Sequence, residues 1–80
     1  MLRIYNIEIK KDKICCNYEP EKSGKAGYIE MNVNATEILK IDYSEYEFGK
    51  KTYVAQARNR IATVLDNNGH LPNELYAVWY

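Results

Sequence analysis

The sequence predicts an α+β protein: an antiparallel sheet in the order β-β-β-β-α-β along the chain, with one amphipathic helix packed on one face. Three observations predict it. The first half is rich in β-branched and aromatic residues, with period-two alternation that is cleanest over residues 28 to 33. The pattern then changes to a helical period between about Lys50 and Asn68. A last short run, Glu74 to Tyr80, is apolar and aromatic and too brief for a second helix.

Each element has its own signal. Leu2, Ile4, Tyr5, Ile7 and Ile9 mark a first strand, and Lys10-Lys11-Asp12-Lys13 a charged turn into a second run from Ile14 to Tyr18. Pro20 to Lys25 is a polar loop. Tyr28 to Val33 places Ile29, Met31 and Val33 on one face and Tyr28, Glu30 and Asn32 on the other. Asn34-Ala35-Thr36 turns the chain, and Glu37 to Tyr43 returns it. Four strands with short connections favour a meander.

In the helix, Tyr53, Val54, Ala57, Ile61, Val64 and Leu65 fall at offsets of three, four and seven, which is one stripe. Asn67-Asn68-Gly69 supplies its stop, with Gly69 suited to the left-handed position after the last turn. Its start lies anywhere between 45 and 51, because Ser44-Glu45-Tyr46-Glu47 fits a capping box that would leave Gly49 inside the helix. The expected core includes Ile7, Ile29, Met31, Val33, Ile41, Val54, Ala57, Ile61, Val64, Leu65 and Trp79. The final strand, which lacks alternation, is expected to be covered on both faces.

Eighty residues fit a single small domain, residues 1–80, with a small core. Eleven basic side chains balance eleven acidic ones, which argues against a polybasic arm or an acidic tail. Eight tyrosines suit a shallow core, its rims and interfaces. No run approaches the roughly 20 apolar residues of a membrane span. The N-terminal residues lack the apolar stretch of a signal peptide, so a cytoplasmic location is expected. Cys15 and Cys16 are adjacent, too close for ordinary disulfide geometry, and on a strand they point to opposite faces. They read as two reduced structural thiols.

Motifs for chemistry are sparse. Gly49-Lys50-Lys51-Thr52 lacks the Ser or Thr after Gly-Lys, and the upstream Gly, that a phosphate-binding loop requires. Gly24-Lys25-Ala26-Gly27 has the G-x-x-G spacing of a KH clamp, but precedes a strand; it reads as a loop whose glycines serve positive φ. A weaker alternative makes it an anion nest with Lys22 and Lys25. Asp42, Glu45 and Glu47 form an acidic cluster better placed to stabilise a helix entrance than to hold a cation. His70, the only histidine, follows the helix end and has no evident nucleophile to serve. No catalytic residue, cofactor site, metal site or small-molecule substrate is indicated, and an enzyme is not expected.

Two functions remain. On the last strand Tyr76, Val78 and Tyr80 share one face and Leu75, Ala77 and Trp79 the other, while one helix covers only one of them. The first expectation is therefore a non-enzymatic protein-interaction module, binding a protein partner or a second copy of the chain through Tyr76, Val78 and Tyr80. The alternative is a weak nucleic-acid binder using Lys22, Lys25, Lys50, Lys51 and Arg58, although Arg58 and Arg60 flank the apolar stripe on different sides. The loop Ser23-Gly24-Lys25-Ala26-Gly27-Tyr28, the hairpin Val33 to Ile38, the single helix and the ending Leu71-Pro72…Val78-Trp79-Tyr80 resemble a group of small bacterial proteins. That resemblance implies one cytosolic domain and brings no activity, cofactor or catalytic residue.

Overall fold

A computed structural model describes residues 1–47 and 52–78. Five strands form one antiparallel sheet: β1 (Leu2–Lys10), β2 (Lys13–Pro20), β3 (Gly27–Asn32), β4 (Ile38–Asp42) and β5 (Glu74–Ala77). Their spatial order is β4-β3-β2-β1-β5, so the meander holds and the last strand joins it beside β1, at an edge. A single α-helix, α1 (Thr52–Asn68), packs on one face. This is the α+β architecture the hydrophobic periods predict.

The core lies between α1 and the inward face of the sheet. Val54, Ala57, Ile61 and Val64 are the buried stripe of α1. Against this stripe lie Leu2, Ile4, Ile7, Ile14, Cys16, Tyr18, Ile29 and Met31. The β1 contribution changes parity, from even positions at Leu2 and Ile4 to Ile7. The cause is a bulge: Tyr5 pairs Asn17 and Glu8 pairs Cys15, so Asn6 and Ile7 stand opposite Cys16 alone. Asn6 takes φ +53° there, a conformation asparagine tolerates better than most residues. The extra residue turns Ile7 inward, and its N–H bonds the Asn73 carbonyl at 3.2 Å.

One core expectation is corrected. Val33 is 43% exposed, because β3 ends one residue earlier. Asn32 ends it: its carboxamide oxygen accepts from the N–H groups of Thr36 (2.9 Å) and Glu37 (3.1 Å), and its carbonyl from Ala35 N–H (2.9 Å). These bonds stabilise a turn that swings Val33 outward and buries Ala35, at φ +56°, in its place. Ile41 and Leu65 are partly buried against the core, and the expected core residue Trp79 lies outside the described residues.

The entrance to α1 also departs from a simple capping box. Ser44 Oγ accepts from Tyr46 N–H at 3.1 Å and starts a short 3₁₀ turn, Glu45–Glu47. Glu47 serves the next helix instead. Its buried carboxylate accepts from the N–H groups of Tyr53 (3.1 Å) and Val54 (3.0 Å), near the start of α1. A carboxylate at the start of a helix offsets the partial positive charge of its first N–H groups. At the other end Gly69, at φ +76°, donates to Leu65 O at 2.9 Å and closes the last turn.

Candidate interaction surface

Among the described residues the sheet has two edges and one uncovered face. Alternation sends Leu75 and Ala77 of β5 toward α1, and Glu74 and Tyr76 to the uncovered face. Tyr76 is 50% and Val78 60% exposed. Among the described residues the outward side chains of this four-residue edge strand meet no second layer, so the helix supplies one of the two expected covers and no loop or neighbouring strand supplies the other. Tyr80, expected beside them, lies outside the described residues.

Between β5 and α1 runs a shallow groove of about 450 Å³, lined by Gln56, Asn59, Arg60, Thr63, Tyr76, Ala77 and Val78. Its helix wall is mostly uncharged and offers amides and a hydroxyl. Arg60 crosses the groove and its Nε donates to Tyr76 O at 3.0 Å. From the sequence, Arg60 only flanks the apolar stripe. Its bond to an edge carbonyl needed the placement of β5, which the sequence does not supply.

Strand β5 is fixed to β1 by charge as well as by its ladder. Arg3 Nε donates to the Glu74 carboxylate, holding that carboxyl below the usual range, and the guanidinium lies 4.2 Å from the centre of the Tyr5 ring. Tyr76 Oη also donates to Glu74, at 3.2 Å. Further across this face Tyr28 Oη donates to Glu30 at 2.7 Å, and Lys13 Nζ reaches the same carboxylate at 3.3 Å. Both keep the Glu30 carboxyl low, the tyrosine hydrogen bond more strongly. The face is thus aromatic and charged, with both signs interleaved.

Of the residues expected for nucleic acid, Lys22, Lys25 and Arg58 are among those described. Lys25 Nζ pairs with Glu45 at 3.2 Å, and Arg58 donates to Ala35 O at 3.1 Å and to Asn59 Oδ1 at 2.7 Å. Lys22 is exposed in the loop after β2, while Lys50 and Lys51 lie outside the described residues. In the G-x-x-G loop, Gly24 does take positive φ, at +73°. Gly27 does not; it is needed for space. A Cβ there would strike the Tyr18 ring and lie 2.7 Å from both Asp42 O and Ser44 N.

Cys15, Cys16, Tyr18 and His70 are placed as follows. Cys15 and Cys16 are free and buried, on opposite faces of β2, and burial pushes the Cys16 thiol up to about 12, so it stays protonated. Tyr18 is fully buried; its hydroxyl accepts from Ser44 N–H at 2.9 Å, and burial raises its pKa. His70 Nδ1 lies 3.1 Å from the Asn68 carbonyl in the last turn of α1. Among the described residues no group of three or more His, Cys, Asp or Glu could hold a metal ion, and no helix is long and apolar enough to cross a membrane. No protein-family model matches the chain, and neither a curated protein nor a solved structure does.

Proposed function

We propose that the chain is a non-enzymatic protein-interaction module of the cytosol that receives its partner at β5 and the groove beside α1. One observation carries this reading: Tyr76 on the edge strand and Val78 just after it stand half or more exposed, next to a groove whose helix wall offers amides, a hydroxyl and one guanidinium. Large apolar and aromatic groups at a groove rim are the usual anchors of protein recognition. The ligand this surface suits is a segment of another protein, one apolar side chain entering between Arg60 and Val78 and its backbone amides meeting Gln56 and Asn59. The cytosolic location is supported by two free cysteines on adjacent positions of one strand, which fit a reducing compartment.

The alternative of weak nucleic-acid binding has less behind it. Lys25 and Arg58 spend their donors on groups of their own chain, and the uncovered face mixes both charges.

The test is affinity capture from one cell extract with the wild-type chain and with a Tyr76→Ser, Val78→Ser variant. Both side chains point away from the core, so the variant should keep its fold. The expected result is at least one protein retained by the wild type and lost with the variant. Identical retention by both would overturn the reading.

A further inference from the structure

The second edge of the sheet, β4, carries a charge pattern that is complementary to itself. Its central residues are Lys40, Ile41 and Asp42, and cross-strand pairing places Lys40 beside Glu30 and Asp42 beside Tyr28 on the uncovered face, with Ile41 beside Ile29 on the core side. Two large apolar side chains flank this triplet in the open: Leu39 is 48% and Tyr43 45% exposed. Such a run on an edge strand is a template for another strand.

We propose that the protein pairs with a second copy of itself along β4, antiparallel, about a two-fold axis at Ile41. This register sets Ile41 against its symmetry mate, Lys40 against Asp42 of the other copy, and Leu39 against Tyr43. The Lys40–Asp42 contact occurs twice, as an isologous interface requires. It also extends a row already built within one copy, in which Lys13, Glu30 and Lys40 alternate in sign across β2, β3 and β4. Asp42 of the partner becomes the next member of that row.

Charge selects the register. Moving the axis to Lys40 sets lysine against lysine, and moving it to Asp42 sets aspartate against aspartate; each is unfavourable directly across a strand pair. The β3–β4 register shifts at Leu39, so the regularly paired stretch that a second copy would continue is Lys40–Asp42, with Leu39 and Tyr43 at its ends. The β5 edge offers no such match: Glu74 is engaged by Arg3, and Arg60 occupies the Tyr76 carbonyl. The product is a continuous ten-stranded sheet with the two β5 strands at its outer ends. The inference goes beyond the proposed module, because it uses the opposite edge and stands or falls separately.

The test is sedimentation equilibrium over a wide concentration range, on the wild type, on Asp42→Lys, on Lys40→Asp, and on an equimolar mixture of the two variants. The wild type should show a monomer–dimer equilibrium that weakens with salt. Each variant alone faces like charges at both symmetric contacts and should dimerise about tenfold more weakly, or worse. In the mixture every contact pairs lysine with aspartate, so dimers should return. Circular dichroism verifies that each variant is folded; should one not be, the salt dependence of the wild-type dimer decides. A wild type that stays monomeric, a dimer indifferent to both substitutions or to salt, or a mixture that fails to recover would each overturn the proposal. A Tyr76→Ser, Val78→Ser variant that still dimerises but loses its captured partner separates this interface from the proposed one.

Discussion

Gly27 and Glu47 decide local geometry that few other residues could provide. At Gly27 the obstruction to a side chain includes the Asp42 carbonyl and the Ser44 amide, both 2.7 Å from where a Cβ would sit, and backbone cannot rotate away. Gly27→Ala should therefore cost about 3 kcal/mol, at the upper end of overpacking penalties, read as a lower urea midpoint with an unchanged slope. Glu47 is buried with two helix N–H groups as its partners, so Glu47→Ala removes both of these bonds and should cost about 2 kcal/mol. Glu45→Ala, two residues away on an exposed ion pair with Lys25, should change stability little. At Cys16 the thiol is held protonated by burial, so a thiol reagent at pH 8 should label it only as fast as the protein unfolds; rapid native labelling would contradict its structural role.

Among the elements, the strands were legible where alternation was regular and turn residues plain, as in β3 and in the charged turn between β1 and β2. The helix was legible from its stripe, and its end from Gly69. What the sequence concealed were interruptions of period. The bulge at Asn6 flips the parity of β1, and nothing in Ile4-Tyr5-Asn6-Ile7 distinguishes a bulge from a strand with two apolar faces. The side chain of Asn32 ends β3 by a set of hydrogen bonds that only the folded turn assembles, which is why Val33 was expected inside. Electrostatics between elements gives a prediction with a definite sign. The carboxyls of Glu74 and Glu30 are held below their ordinary value of 4.5 by Arg3 and by Tyr28 with Lys13. Their contribution is complete above that value and is lost as the pH falls through the lower folded-state values. Stability should hold steady through neutrality and decline below about pH 4.5, and the decline should be shallower in Glu74→Gln; an identical acid limb in that variant would show that the Arg3–Glu74 contact does not tie β5 to β1.

At the scale of the molecule, one helix on a five-stranded sheet leaves two edges and one face uncovered among the described residues, and the proposed functions divide the two edges. The C-terminal aromatics suggest an interaction surface from the sequence, and the structure adds the edge on which Tyr76 lies. The position of β5 at an edge did not follow from the sequence, because a terminal strand can pair on either side of a meander. The self-complementarity of β4 was equally hidden, since Lys40-Ile41-Asp42 becomes a recognition pattern only once β4 is known to be the outermost strand. In this account β4 binds its own copy and β5 a different protein. The most direct test is amide hydrogen exchange of the isolated wild-type chain at increasing concentration. Amides of residues 39 to 43 should become more protected as the chain self-associates, while those of residues 74 to 78 should not change. Protection at β5 with none at β4, or no concentration dependence at either edge, would contradict it.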